Sequence, residues 1–239
     1  MRTLPAYFFI IPFIILQAFY ASAQKPREPN KLYPILFNYA RNLYEDYNSS
    51  IPMERRFVLD EIADYIIGSS QFEGEASLVI IGSNNSTRSI LAEAWAKAAA
   101  YYYGISNIHV FSGGLNISSI STNAVIALEK AGFIVYKTRN GQNPPYEIKY
   151  SYNIPPVYIQ SKKHNDTNNP KEGYGIIVVC PNADSNLSAM KGNNFRTSLY
   201  YFDPRAYDLA EDSLDQYLLR SREIATEMFY IFYRLKNAK

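Results

Sequence analysis

Residues 78–97 run Leu-Val-Ile-Ile-Gly-Ser-Asn-Asn-Ser-Thr-Arg-Ser and then Ile-Leu-Ala-Glu-Ala-Trp-Ala-Lys, and no other stretch constrains the fold so tightly. The apolar, β-branched run Leu78, Val79, Ile80, Ile81 suits a buried strand. The small polar residues after it suit a tight loop. Ile90, Leu91, Ala94, Trp95, Ala98 and Tyr102 then recur at helical spacing, which predicts an amphipathic helix. A strand, a polar loop and a helix in that order build an anion site. Backbone N–H groups at the helix start donate into the loop, and the helix dipole favours negative charge there. Arg88 falls where loop meets helix. A guanidinium fork at that point would clamp a tetrahedral oxyanion through two hydrogen bonds.

The remaining chain alternates strand and helix patterns. Residues 31–47 carry Leu36, Tyr39, Ala40, Leu43 and Tyr44 on one helical face, and residues 54–67 carry Val58, Ile62, Tyr65 and Ile66 on another. These two N-terminal helices are expected as a packing extension, with a partner-binding arm as the alternative. A short strand at 107–111 leads into Ser112-Gly113-Gly114, and a helix at 122–132 has Gly132 as its stop. Extended segments follow at 133–136, 146–152 and 157–160, the last two pairing as a hairpin. Residues 161–173 form a polar loop, either simply solvated or a charged lip over the anion site through Lys162 and Lys163. A buried strand at 174–179 ends at Cys180, a long loop covers 181–194, and a last strand at 197–202 precedes Asp203-Pro204. The final helix spans 213–236. Such alternation implies βαβ units, a mainly parallel sheet of four or slightly more strands, and helices on both faces: an α/β three-layer sandwich. Ligands in these sheets sit beyond the carboxyl ends of the strands, where Gly82, Cys180 and Asp203 all fall.

Residues 1–23 read as a secretory signal peptide, with Arg2, an apolar stretch over 6–20 and Ala21-Ser22-Ala23 as the cleavage site. An uncleaved anchor is the alternative. Either way the domain is expected outside the cytoplasm, periplasmic or secreted, with no membrane contact once the leader is cleaved. Residues 24–30, polar with two prolines, form a lead-in. The net charge of +2 gives no reason to expect a nucleic-acid partner. The 22 tyrosines suit half-buried surfaces more than a recognition surface. His109 and His164 stand apart, so no metal set and no cofactor is expected.

On these residues the chain resembles the low-molecular-weight protein tyrosine phosphatases and the thiol-dependent arsenate reductases. Their loop is a Cys, five residues, an Arg and a Ser between a strand and a helix. Arg88, Ser89 and the loop-shaping Asn85 match that pattern, and Ala92-Glu93 matches the following helix. The resemblance covers residues 77–235. It divides the chain into a leader (1–23), an N-terminal helical extension (24–76) and a phosphatase-like domain (77–239). It implies an oxyanion-binding loop of Ser83, Asn84, Asn85, Ser86, Thr87, Arg88 and Ser89. It gives Asp203 of Asp-Pro the place of the general acid that protonates the leaving oxygen. Cys180 stands at the second thiol of the reductases, the third falls near Leu187, and Arg220, Arg222 and Glu223 sit in the last helix as in that branch.

The nucleophilic Cys, however, is Gly82 here. Family chemistry needs a thiolate at that place. Cys180 is the one cysteine, so no thiol relay exists within this chain. Ser83 has no evident base. Three functions follow as expectations. The first is a catalytically impaired binder of phosphate, sulfate or arsenate-like anions or of a phosphoprotein. The second is an active phosphatase or arsenate reductase with another nucleophile. The third is a structural interaction protein on the same fold.

Overall fold

The computed structural model describes residues 32–187 and 192–238. The leader reading of 1–23 and the lead-in at 24–30 lie outside the described residues. Two helices open the fold, α1 (Pro34–Ser49) and α2 (Met53–Phe72). β1 (Ala76–Gly82), α3 (Arg88–Tyr103), β2 (Ile108–Gly114) and α4 (Thr122–Ala131) follow. Then come β3 (Ile134–Lys137), β4 (Tyr146–Lys149), β5 (Val157–Ile159), β6 (Tyr174–Val178), α5 (Pro181–Asn186) and β7 (Asn193–Ser198). A 3₁₀ turn (Pro204–Tyr207) and α6 (Ser213–Asn237) close the chain.

The main sheet has four parallel strands in the order β2-β1-β6-β7. β1 and β6 are central and buried, which is why both read as unbroken apolar runs. Their alternating side chains divide the core. Leu78, Ile80, Ile177 and Val179 pack with the inner faces of α1, α2, α3, α4 and α6, around a fully buried Trp95. Val79, Ile81, Ile176 and Val178 pack in a smaller cluster with Cys180, Ala183 and Leu187, at and just after the short α5. The sheet is therefore covered unequally. α1 and α2 contribute Leu36, Leu43, Leu59, Ile62 and Ile66 to the same core as Trp95 and Ile80.

Three expectations change. The segments 133–136, 146–152 and 157–160 form a second, antiparallel sheet in the order β3-β4-β5, so the expected hairpin gains a third strand. The long loop at 181–194 contains α5, started by Pro181, which suits the first turn of a helix. The last strand lies at Asn193–Ser198 instead of 197–202. The residues after it still bond to the β6 exit, Leu199 N–H to Val178 O (2.8 Å) and Tyr201 N–H to Val179 O (3.2 Å), so that strand's apolar end reads like a strand without pairing along its length. Gly132 does end α4, at φ 104°. A Cβ there would lie 2.5 Å from the Leu36 nitrogen, so only glycine lets α1 approach.

Candidate functional site

β1 ends at Gly82 and α3 begins at Arg88, so residues 83–87 make one tight turn at the carboxyl edge of the sheet. The turn holds its shape through Asn85, whose φ of 46° is the left-handed conformation that asparagine tolerates. The buried Asn85 amide donates to Ser89 Oγ (3.0 Å) and Ser112 Oγ (2.8 Å), and its Oδ1 accepts from the Lys162 N–H (2.9 Å). Ser112 in turn donates to Glu93 (2.6 Å), which also holds Lys97 (2.8 Å). A Cβ on Gly114 would sit 2.8 Å from the Asn85 nitrogen, so glycine there lets β2 brace the loop.

The loop carbonyls are bonded by neighbouring segments. Gly82 O accepts from Leu115 N–H, Ser83 O from Asn116 N–H, Asn84 O from Ser161 Oγ, Ser86 O from Ser121 N–H and Thr87 O from Leu91 N–H. By contrast, no described residue accepts from the backbone N–H of Ser86, Thr87, Arg88 or Ser89. Thr87 precedes α3 without capping it, and its buried hydroxyl has no partner among the described residues. Four donors are thus unmatched while five carbonyls are matched, an electropositive arrangement at a helix start.

Gly82, Ser83, Asn84, Ser86, Thr87, Arg88 and Ser89 line one small cavity with Asp203 and Arg205. Its volume, about 10 Å³, takes one water-sized group. Arg88 lines this cavity, but its fork is not open to it. Nη1 donates to Tyr201 O (3.0 Å) and Nη2 to Asp203 Oδ2 (2.7 Å). The guanidinium has further donors to give. Asp203 also accepts from the Arg205 N–H (3.2 Å), Nε (3.4 Å) and Nη2 (3.3 Å). Every contact on its carboxylate is a donor, and it caps the 3₁₀ turn that Pro204 starts.

Cys180 stands one residue behind. Its Sγ lies 3.2 Å from Ser83 Oγ, which also receives Asn182 Nδ2 (3.1 Å). A Cβ on Gly82 would meet Ser89 Oγ at 3.1 Å and Val179 Cγ2 at 3.7 Å, so one added atom needs only a small give. Of the last-helix residues, Arg220 pairs with Glu223 and Arg222 with Asp46 (2.6 Å), outside the cavity lining. Leu187 is buried in the smaller core.

The polar segment 161–173 is not a lip on this cavity, which neither Lys162 nor Lys163 lines. Ser161 and the Lys162 backbone hold the outside of the loop, and buried Asn169 donates to Ser112 O (3.2 Å). Burial and the neighbouring Lys163 push the His164 pKa down, so its ring loses its proton more readily than a free imidazole. Arg205 is a site residue that the loop pattern does not single out, although its place just after Asp-Pro is a usable signal. The Ser112–Glu93 brace had none, because its parts come from separate elements.

These elements define the class, a parallel α/β sandwich with a strand–loop–helix turn at the carboxyl edge of its sheet. A low-molecular-weight protein tyrosine phosphatase from T. tengcongensis is similar in fold at TM-score 0.47 and 15% identity, over 67% of this chain and 100% of that one. A mutant of YwlE from Bacillus subtilis is similar at 0.45 and 16%, over 68% and 100%. An arsenate reductase in a phosphate-binding state is similar at 0.42 and 18%, over 67% and 98%. No family model and no curated protein matches the chain.

Proposed function

We propose that residues 82–89 receive a tetrahedral oxyanion, either free phosphate, sulfate or arsenate or the phosphoryl group of a partner protein, and bind it without turnover. The observation that carries this is the buried, unpartnered Thr87 hydroxyl at the uncapped start of α3, beside Arg88 and the open loop amides. Anions at such helix starts gain from the amides and the dipole together. Turnover is left out of the proposal because Gly82 carries no nucleophile and the side chains that contact the Ser83 hydroxyl are a thiol and an amide, with no carboxylate or imidazole beside it.

Arg88 is engaged by Asp203, so an anion that takes this end of the guanidinium replaces the carboxylate there. Arg88 then exchanges one charge-assisted bond for another, and Arg205 keeps Asp203 paired. Calorimetry with phosphate and sulfate tests the reading. Wild type should bind, and Arg88→Ala should bind roughly tenfold to a hundredfold more weakly, the loss of a charge-assisted bond. Thr87→Val should weaken binding several-fold. Absence of binding by wild type, or equal binding by Arg88→Ala, refutes it. Hydrolysis of an aryl phosphate by wild type would refute the lack of turnover, and activity confined to Gly82→Cys would support it.

A further inference from the structure

A second cavity, of about 350 Å³, opens between α3, β2, β5 and the segment 161–173. It is separate from the anion loop and far larger, within the usual range for small-molecule sites. We propose that it binds a small carboxylate with a flat apolar body, such as an aromatic monocarboxylate. This does not rest on the oxyanion reading.

Shape gives the body of the ligand. Phe111, Pro145 and Ile159 supply an apolar wall, and Tyr158 stands beside them, two-thirds exposed. Such a wall takes a ring by area burial and by offset or edge contact. Charge gives the head group. Four charged side chains line the cavity, and they are not equivalent. Glu93 is buried and already neutralised, with Lys97 on one oxygen and Ser112 on the other. Asp166 Oδ1 accepts from both the backbone N–H and the side-chain amide of Asn168 (3.0 and 2.9 Å). The Gln160 side chain is spent on Asn143 O (2.7 Å). Lys162 differs. Its backbone is bonded on both sides, to Asn85 Oδ1 and from Gly114 N–H, while its ammonium group has no carboxylate among the described residues. The backbone fixes where this cation starts, and the side chain is left to meet an anion over the apolar wall. A carboxylate answers it. Lys97 is already matched by Glu93, and Asp166, which only the neutral Asn168 groups meet, is the one acid in the lining left to oppose it.

Position gives the consequence. Lys162 N–H and Ser112, which Glu93 holds, both bond the Asn85 side chain. Filling the cavity therefore presses on the residue that shapes the anion loop.

The test is amide NMR of the full chain titrated with benzoate, with benzyl alcohol and benzamidine as neutral and cationic counterparts. Saturable shifts at Phe111, Ile159 and Lys162 are expected, with a Kd on the order of 1 mM for so small a probe. Lys162→Met should weaken binding at least fivefold and Lys162→Arg should largely retain it. The Lys162 backbone bonds survive both changes, so the fold is kept. Asn85 should shift with the same midpoint. Absence of saturable shifts at these residues, unchanged affinity in Lys162→Met, or equal binding of benzyl alcohol or benzamidine overturns the proposal. Filling without movement of the Asn85 signal overturns the coupling to the loop.

Discussion

Asp203 stands where a ligand anion would meet Arg88, and its ion pair with Arg88 (2.7 Å) lies in the wall of the cavity that both line. A ligand anion must displace the carboxylate, so the carboxylate weakens binding twice, by occupying the fork and by like-charge repulsion. Asp203→Asn should therefore bind phosphate about three- to tenfold more tightly than wild type. Calorimetry at neutral pH reads this directly, and weaker binding by the variant would show that Asp203 aids the ligand. Much of this site was legible. Gly82, Arg88 and Ser89 are neighbours in sequence, and a strand–loop–helix turn brings neighbours together without tertiary help. Asn85 has its loop-shaping place in the sequence from the resemblance, and its left-handed φ of 46° is what the structure adds. What the sequence concealed was the closed fork. Whether a guanidinium faces a loop or an acid is decided by where a distant segment lands, here the exit of β6 and β7 carrying Tyr201 and Asp203.

Among the elements, α3 is buried on nearly every side where spacing predicts a single inner face. Ile90, Leu91, Ala94, Trp95 and Ala98 are buried as expected, Ala92, Glu93, Ala96, Ala99 and Ala100 are buried too, and Tyr102 is only half-buried. Trp95 stacks on Tyr39 (5.4 Å), meets Phe133 edge-on (4.8 Å) and donates to Ser221 Oγ (2.9 Å), so it joins α1, α3 and α6. Trp95→Ala should lower the unfolding free energy by about 3–5 kcal/mol, measured by urea denaturation. The strand β7 was the harder element. It is polar, lies at the sheet edge and owes its place to partners: Phe195 stacks on Tyr65 (4.8 Å), and Ser198 and Arg196 hold Asp184. Those bonds, Ser198 first, then Tyr200 and Arg196, hold the Asp184 pKa at about 2, down from 3.8. The folded value lies below the unfolded one. The stabilisation is therefore present above about pH 4 and lost as pH falls towards 2. Asp184→Asn should lower the urea midpoint at pH 7 and lower it less at pH 2.5. An equal difference at both values would mean that the carboxylate charge contributes nothing.

At the scale of the molecule, the N-terminal helices decide whether residues 77–239 can stand alone. Leu36, Leu43, Leu59, Ile62 and Ile66 are fully buried, and α6 meets α1 through Tyr230 on Tyr47 and Tyr233 on Tyr44, and α2 through the Tyr230 hydroxyl on Asp60 (3.1 Å). At about 1.5–3 kcal/mol for each large apolar side chain, the five together approach the whole stability of an ordinary domain, about 5–15 kcal/mol. Charge points the same way. Glu227 on α6 is buried and takes both oxygens to Arg55 of α2, while Asp46 and Asp60 pair with Arg222 and Arg234. Without α2, Glu227 would be an unpaired buried charge, a cost of about 3–5 kcal/mol. The resemblance that set a boundary at residue 76 therefore marks the edge of a pattern, and the core crosses it. A chain beginning at Gln24, the expected product of leader cleavage, keeps both helices and should unfold in one cooperative urea transition. A chain beginning at Ser77 should show no such transition and should bind a dye for exposed apolar surface. A cooperative transition in the shorter chain, with the m-value its smaller size demands, would make the two helices an appendage and would free them to serve as a partner-binding arm.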